Sequence, residues 1–419
     1  MASNSAHDFL SFLVIITVIL LLGRGLGELC RKWKQPAVMG ELIAGLLIGP
    51  TVLGNLFPSF FQQLFFSSTN AQLGFDGLSK IAIVLFLFVA GMEVHLSDVM
   101  KRGKAAAKIS LSSILFPFAA GFSGTWLFYD HFAVGGQMNK LIAAMFMGTA
   151  LSITALSVLA KILFDLDLGR SRFGSLLLTA AMINDFAGWM LFSVVISLGD
   201  LHHESLDIWQ TVTLVLIFAS LLLTIGRQVI DKLFEFTAVQ FKGPGAALAL
   251  AIIICLLGAI FTEWVGIHAI FGAFLTGVSV GDSKHFTKRA KDMLHEFVSN
   301  LLAPLFFVSI GLRVNFFKDF DLFICLFILT IAFIGKIAGG FAGARLSGFR
   351  SNKALAVGFA MNARGSMEIV LGMLAMQAGI INEKIFVGLV VMTFITILIA
   401  GPAINYFLKR HDRIYAPAV

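Results

Sequence analysis

Long apolar stretches follow one another along almost the whole chain and are separated by short polar connections. A helix needs about 20 apolar residues to cross the hydrocarbon core of a bilayer. The pattern therefore predicts an all-α polytopic membrane protein with about thirteen transmembrane helices. The predicted segments cover residues 9–29, 37–54, 77–96, 105–128, 139–162, 171–198, 207–226, 245–264, 267–281, 294–315, 321–346, 352–377 and 385–408.

Composition and charge support the same class. Hydrophobic residues make up 58% of the chain and charged residues 13%, with a mean hydropathy of +0.91, which would leave a soluble protein coated in apolar surface. Most of the 31 Lys and Arg residues lie in connections that follow odd-numbered segments, and cytoplasmic loops carry the basic excess. We therefore expect an integral multi-pass membrane protein with its N-terminus outside and its C-terminus in the cytoplasm. This rule also explains the net charge of +7, so no nucleic-acid partner is expected.

Two sequence patterns recur seven segments apart. LFLFVAGMEV in the third segment (85–94) returns as LFFVSIGLRV in the tenth (305–314), and GELIAGLLIG (40–49) returns more faintly as HAIFGAFLTG (268–277). A shift of seven segments reverses the direction of crossing. The recurrence therefore predicts two inverted-topology repeats, which are typical of secondary transporters. The alternative is a chance likeness between helices rich in phenylalanine and glycine.

A carboxylate lies deep inside the sixth segment. Asp185 follows Asn184, and no other charged residue occurs between Arg172 and Asp200. A charged side chain at the centre of a membrane helix costs about 3 kcal/mol on insertion scales, so it is kept where it lines a cavity, has a partner or moves an ion. Asp185 is therefore the leading candidate for an ion-binding residue. It makes the chain a candidate transporter rather than an enzyme.

The fifth and twelfth segments, also seven apart, both contain polar interruptions. These are GTALSITALS (148–157) and GFAMNARGSMEIV (358–370). Ser and Thr side chains compete with the helix for backbone partners. Broken helices here would expose carbonyl oxygens and opposed dipole ends beside Asp185, an arrangement suited to a monovalent cation. Ser152 and Thr154 are candidate ligands, although their hydroxyls would also be satisfied by bonding back to an intact helix.

Further charged and polar residues accompany the second interruption. Arg364 and Glu368 are four apart on one helical face, which favours a structural ion pair, and Asn362 lies in the same break. Lys336 lies in the middle of the eleventh segment. We expect a carboxylate partner for it, because an unpaired buried charge is costly.

Several functions stay open on these residues alone. One alternative is an exporter or uptake carrier for an organic ion, which would need a wide cavity. Another is a channel or a non-transporting sensor, which Asp185 would also serve. Na⁺ and K⁺ accept the same oxygen ligands, so either is a candidate substrate. The spacing of Cys30, Cys255 and Cys325 matches no metal site, and no cofactor is expected.

Six motifs, in order along nearly the whole chain, resemble those of the monovalent cation/proton antiporters of the sodium/hydrogen exchanger superfamily. The likeness is to the second branch, which includes bacterial K⁺ or Na⁺/H⁺ antiporters and plant cation/H⁺ exchangers. The motifs are QPAVMGELIAGLLIGPTVLG, GTALSITALSVLAKIL, the Asn184-Asp185 pair, PLFFVSIGLRVN, GKIAGG and GFAMNARGSMEIVL.

The resemblance implies an architecture and a mechanism. It implies a homodimer, crossed broken helices in segments five and twelve, and a core domain that gives alternating access to Asp185. Asp185 would bind the cation and the proton in turn. The implied parts are dimerisation segments (1–96 and 245–315), core segments (105–198 and 321–408), a linker helix (207–226) and a short cytoplasmic tail (409–419).

The resemblance also bears on stoichiometry. Relatives with two aspartates at the 184 and 185 positions are electrogenic, so Asn184 followed by Asp185 implies electroneutral one-for-one exchange. Many electroneutral relatives of the first branch carry arginine where this chain has Lys336. At that position the chain departs from their pattern.

Overall fold

The protein is described here by a computed structural model. It describes residues 2–33, 35–94, 103–132, 139–166, 168, 171–199, 208–241 and 243–415. Nearly all of them are helical, and no strand occurs in these ranges. The chain divides into two compact units, which comprise Met1–Val94 with Leu216–Asp319 (unit 1) and His95–Val215 with Phe320–Val419 (unit 2).

The helices of the first half begin at polar caps where the sequence supplies them. Ser68 accepts a hydrogen bond from the Ala71 N–H (3.1 Å) before the helix that begins at Thr69. Asn139 caps the helix that begins at Lys140 by accepting from the Leu141 N–H (3.0 Å). Such caps satisfy N–H groups that lack a partner inside the helix. The helices are α1 (Ala2–Lys32), α2 (Ala37–Ile48), α3 (Leu53–Leu56), α4 (Pro58–Phe65), α5 (Thr69–Met92), α6 (Gly103–Leu127), α7 (Tyr129–Phe132), α8 (Lys140–Ser152), α9 (Leu156–Asp165), α10 (Arg172–Gly199) and α11 (Ile208–Leu221).

The second half has the same character. Wider π-helical turns at Leu222–Gly226 and Val298–Leu302 join consecutive helices without a break in the backbone. Asp321 caps the helix that begins at Leu322 by accepting from the Ile324 N–H (3.1 Å). The helices are α12 (Arg227–Gln240), α13 (Pro244–Trp264), α14 (Ala269–Gly281), α15 (Lys288–Phe297), α16 (Ala303–Gly311), α17 (Phe316–Asp319), α18 (Leu322–Leu346), α19 (Ser351–Met361), α20 (Ser366–Gln377) and α21 (Glu383–Tyr415).

Within the described ranges, eleven helical stretches are long and apolar enough to cross a membrane. Two further apolar helices, α14 and α20, are shorter and are not among these eleven. The 13 residues of α14 rise only about 20 Å at 1.5 Å per residue, against a hydrocarbon thickness of about 30 Å. The predicted ninth segment is therefore short, the twelfth is interrupted, and the count of thirteen crossings stays a prediction.

Unit 1 is held together by helices that approach at glycines. α2 packs on α16, and α5 packs on α14. A Cβ on Gly311 of α16 would lie 2.5 Å from the Gly45 Cα of α2, and one on Gly91 of α5 would collide with the Phe274 carbonyl of α14. In the predicted repeats, α2 corresponds to α14 and α5 corresponds to α16. The contact between α2 and α16 in one pair therefore corresponds to the contact between α14 and α5 in the other.

Unit 2 is built around the close contact of α6 with α18. A Cβ on Gly335 would lie 2.8 Å from the Pro117 Cα, and one on Gly339 would lie 2.5 Å from the Ser112 carbonyl oxygen. Only glycine lets the two backbones approach this closely. Helices α8, α10, α19 and α21 pack against this pair, and the contact carries Lys336 to the backbone of α6.

The predicted domain roles are not tested by these packing patterns. Dimerisation segments at 1–96 and 245–315, core segments at 105–198 and 321–408, and a linker at 207–226 remain predictions. Of the residues in these predicted parts, 1, 34, 95–96, 133–138, 167, 169–170, 207 and 416–419 lie outside the described ranges.

Candidate ion-binding site

Helix α10 places the sequence-predicted carboxylate near its middle. Asp185 is 4% exposed and Asn184 is fully buried. The helix runs unbroken for 28 residues, because this stretch contains neither proline nor an internal cap. Both side chains therefore project from a continuous helix inside unit 2.

The predicted interruption in the fifth segment is present as a break between α8 and α9. The backbone turns extended at Ile153 (φ −78°, ψ 148°). Ser152 donates its hydroxyl to the Thr149 carbonyl (2.8 Å), within its own helix. Thr154 instead donates across to the Met361 carbonyl (2.6 Å). The alternative of bonding back to the helix therefore holds for the Ser152 hydroxyl and not for that of Thr154.

The twelfth segment breaks between α19 and α20, at residues 362–365. Two backbone segments meet here, since the Ala155 N–H donates to the Ala363 carbonyl (2.9 Å). Gly365 is required by close packing, because a Cβ there would lie 2.6 Å from the Val158 Cγ2. Asn362 is 1% exposed within this break. The two breaks are therefore bonded to each other through their main chains.

Arg364 is fully buried and fastens the end of α8. Its Nη1 donates to the Ala150 carbonyl (3.0 Å) and its Nη2 to the Leu151 carbonyl (2.6 Å). The predicted ion pair with Glu368 is present at 3.7 Å. Glu368 also accepts a hydrogen bond from the Gly365 N–H (2.8 Å), so that it caps α20. The cation faces carbonyls at a helix C-terminus and the anion faces N–H groups at an N-terminus, as the helix dipoles favour.

Lys336 is also fully buried. Its ammonium donates to the carbonyls of Ser113 (3.0 Å) and Ser152 and contacts the Asn184 Oδ1 at 3.5 Å. These hydrogen bonds of the ammonium go to oxygens of the main chain and of an amide, while the expected carboxylates, Glu368 and Asp185, act on it through their charges. The reason is the break after Ser152, which leaves the last carbonyls of α8 without helical partners.

Ser113 is the residue that sequence reasoning missed. It accepts a hydrogen bond from the Asn184 Nδ2 (3.0 Å) and donates its own hydroxyl to the Ser110 carbonyl (2.9 Å). Since the amide nitrogen is held by Ser113, the amide oxygen of Asn184 is directed to Lys336. Three serines lie within four residues of α6, and only the packing of the helices distinguishes Ser113 from its neighbours.

Comparison with known proteins identifies the family. Residues 13–410 match the model of the sodium/hydrogen exchanger transmembrane family. The chain belongs to this family. It is 30% identical over 401 residues to the Na⁺/H⁺ antiporter NhaS4 of Synechocystis, covering 95% of this chain and 97% of the relative. It is 29% identical over 413 residues to the Na⁺/H⁺ antiporter of Enterococcus hirae, covering 96% and 99%.

Other relatives of this exchanger are longer. This chain is 30% identical over 416 residues to cation/H⁺ antiporter 17 of Arabidopsis thaliana. The match covers 96% of this chain but only 49% of the plant protein. The chain thus spans about half the length of this plant relative. The solved structure of the sodium proton antiporter MjNhaP1 from Methanocaldococcus jannaschii matches 96% of this chain and 99% of its own, with a TM-score of 0.65 at 17% identity. That likeness shows a shared fold.

The chemistry available to this exchanger is that of oxygen ligands. The carboxylate of Asp185 and the hydroxyl oxygens of Ser152 and Thr154 retain lone pairs for a hard cation. No group of three or more His, Cys, Asp or Glu side chains able to hold a metal ion occurs in the described part of the chain.

Proposed function

We propose that this chain is a secondary antiporter that exchanges Na⁺ or K⁺ for H⁺ at Asp185. The observation that carries the proposal is the burial of Asp185 and Asn184 on α10, within the same unit as two interrupted helices whose breaks are bonded together. Broken helices near a buried carboxylate are how many transporters build an ion site at the membrane midplane. The names of the relatives, Na⁺/H⁺ and cation/H⁺ antiporters, support the same activity.

Each site residue has a distinct role in this proposal. Asp185 binds the cation and the proton in turn, and Ser152 and Thr154 contribute oxygen ligands. Asn184 is held by Ser113 and Lys336, so its position is fixed beside Asp185. Lys336, Arg364, Glu368 and Asn362 hold the broken ends together.

The coupling of cation movement to proton movement follows from the charge of the Asp185 carboxylate. A site that carries a bare carboxylate is costly to move through the low dielectric of the membrane, whereas a site neutralised by H⁺ or a monovalent cation is not. Alternating access of the core segments then carries either ion but not the empty site. One cation replaces one proton on one carboxylate, so the exchange is electroneutral.

The remaining assignments concern the assembly. The core domain comprises residues 105–198 and 321–408, and the dimerisation domain comprises residues 1–96 and 245–315, with 207–226 as the linker. The two halves are inverted repeats. The matching contacts of α2 with α16 and of α5 with α14 support this assignment. The chain works as a homodimer in a lipid bilayer, with its N-terminus outside and its C-terminus in the cytoplasm.

Proton-flux measurements in proteoliposomes test the function. Purified protein is reconstituted with a trapped pH dye, and outward or inward gradients of Li⁺, Na⁺, K⁺ and Rb⁺ are imposed. An antiporter acidifies or alkalinises the lumen according to the direction of the gradient and selects among these ions. An organic-ion carrier would give no response to any of the four, and a channel would pass current without a coupled proton flux.

A further inference from the structure

A proline interrupts the hydrogen bonding of α6. Pro117 lies inside this helix, which runs from Gly103 to Leu127. Proline has no N–H group, so the carbonyl oxygen four residues earlier, that of Ser113, loses its usual helical donor. Ser113 is fully buried, and a buried carbonyl without a donor is strongly disfavoured. Membrane helices keep such a proline where a neighbouring group satisfies the freed carbonyl.

Lys336 of α18 supplies the missing donor. Its ammonium donates to the Ser113 carbonyl (3.0 Å) and also to the Ser152 carbonyl. Ser152 is the last residue of α8, so its carbonyl too has no donor within the helix. Both main-chain acceptors of the ammonium are therefore carbonyls that a continuous helix would have used for itself. The proline releases one of them, and the helix end releases the other.

Pro117 also lies at the contact between α6 and α18. A Cβ on Gly335, the residue before Lys336, would lie 2.8 Å from the Pro117 Cα. The backbone of α18 thus rests against the proline itself, and the lysine follows one residue further on. The proline and the acceptor that it releases are therefore both on the part of α6 that contacts α18.

Ser113 connects this arrangement to the candidate ion site. Its hydroxyl accepts a hydrogen bond from the Asn184 Nδ2 (3.0 Å), while its carbonyl accepts from Lys336. The Lys336 ammonium in turn contacts the Asn184 Oδ1 at 3.5 Å. One residue of α6 thus holds both the buried positive charge and the residue that precedes Asp185. A second donor to the Ser113 carbonyl would weaken its hold on that charge.

We propose that Pro117 is a positioning residue of the ion site. Because it has no N–H, it reserves the Ser113 carbonyl for the Lys336 ammonium, which is thereby held beside Asn184. The proposal rests on the proposed function, in which Asp185 exchanges the cation and the proton. Pro117 has no polar side-chain atom with which to bind either ion. Its effect passes through one acceptor, and an N–H at position 117 should remove that effect.

A cycle of melting temperatures tests whether the proline and the lysine share this acceptor. The proteins are the wild type, Pro117→Ala, Lys336→Met and the double variant, each purified in detergent. Alanine restores the N–H of residue 117, and methionine removes the donors of residue 336 while keeping an unbranched side chain.

The two substitutions should not be additive. The fall in melting temperature caused by Lys336→Met should be smaller by about a third in the Pro117→Ala background, because one of the three acceptors of the ammonium then has another donor. Equal falls in the two backgrounds would overturn the proposal.

A backbone substitution separates the N–H group from the shape of the side chain. Pro117→lactic acid, introduced as an α-hydroxy acid, has the side chain of alanine but an ester oxygen in place of the N–H. In proteoliposomes, Pro117→Ala should shift the midpoint of the pH profile of exchange by about half a unit to one unit, the equivalent of one hydrogen bond. The shift should have the same direction as that of Lys336→Gln.

The lactic acid variant decides between the N–H and the ring. It should retain the wild-type pH profile, because it gives the Ser113 carbonyl no donor. Equal profiles for the alanine and lactic acid variants, whether shifted or not, would mean that the N–H has no effect of its own. That result would overturn the proposal.

Pro402→Ala is the matched control. Pro402 also lies inside a helix long enough to cross the membrane, α21, but it is exposed. Its replacement should leave the pH profile unchanged and should be additive with Lys336→Met in melting temperature. A shift in Pro402→Ala equal to that in Pro117→Ala would overturn the specific role of Pro117.

The outcomes separate this proposal from the proposed function. Additive melting temperatures, together with loss of exchange in Asp185→Asn, would overturn the role of Pro117 and leave the antiporter intact. Non-additive melting temperatures, together with continued exchange in Asp185→Asn, would overturn the ion site and with it the positioning role, although the proline and the lysine would still share an acceptor.

Discussion

The Nη2 of Arg364 donates a 2.6 Å hydrogen bond to the carbonyl oxygen of Leu151. This bond joins the penultimate residue of α8 to a residue inside the break between α19 and α20. A charge-assisted hydrogen bond to an unpaired helical carbonyl is stronger than one between neutral groups. The geometry of the candidate site therefore depends on a side chain that does not bind the transported ion.

Arg364→Gln should destabilise the protein by about 3–5 kcal/mol, the usual effect of removing one partner of a buried charged pair. The substitution leaves Glu368 without its cation and two carbonyls of α8 without a donor. Melting in detergent, followed by intrinsic fluorescence, measures the effect. Arg345→Gln is the control, because Arg345 is exposed and donates to the Phe349 carbonyl at the surface (3.0 Å). A melting temperature of Arg364→Gln equal to that of the control would show that the arginine does not hold the breaks together.

Lys336→Gln should lower the melting temperature and shift the pH profile of exchange more than it lowers the maximal rate. Each buried carbonyl left without a donor costs about 1–3 kcal/mol, and the positive charge that contacts the Asn184 Oδ1 is lost. Lys384→Gln serves as the control, since Lys384 is partly exposed and pairs with Asp321 at 3.7 Å, and such pairs contribute at most about 1 kcal/mol. A Lys336 variant with wild-type stability and pH profile would contradict the contacts described for its ammonium.

Ser113→Ala should raise the KM for the cation roughly tenfold, because Asn184 loses the acceptor that fixes its amide. The maximal rate should change less, since Asp185 is retained. Initial rates of cation-driven proton flux over a concentration series measure both parameters. Ser112→Ala is the matched control, as the Ser112 hydroxyl donates only to carbonyls of its own helix, at 2.7 Å for Lys108. Equal KM values for the two variants would show that Ser113 does not position the site.

The sequence predicted the helical class, the buried carboxylate and the two interruptions, because each leaves a local signal. A charge between long apolar runs and a cluster of polar residues inside a span are both visible without knowledge of contacts. The Arg364–Glu368 pair was predictable for the same reason, since four residues bring two side chains together on any helix.

The partners of Lys336 and the role of Ser113 were not predictable in this way. Carbonyls that accept from Lys336 exist because α8 ends at Ser152, and every residue has a carbonyl, so no residue type marks them. Ser113 meets Lys336 because glycines at 335 and 339 let α6 and α18 approach closely, and it meets Asn184 because α10 also packs on α6. Contacts of this kind depend on tertiary packing and leave no pattern along the chain.

Exchange by the wild-type protein should be electroneutral, because one cation replaces one proton on Asp185. Cation-driven pH changes should not respond to a potential clamped with valinomycin, under conditions where K⁺ is not the substrate. Asn184→Asp adds a second carboxylate and should make the exchange sensitive to that potential. Wild-type transport currents that reverse with the imposed voltage would show that another group titrates during the cycle.

Competition between the two ions at Asp185 is measured most directly in the Asp185→Asn variant. Purified wild-type protein in weakly buffered detergent should release protons when Na⁺ or K⁺ is added, and reconstituted protein should exchange the same cation for H⁺. Asp185→Asn should remain folded and membrane-inserted, release no protons on cation addition and show no exchange above empty liposomes. Proton release or exchange near the wild-type level in this variant would contradict the assignment of Asp185 as the shared site.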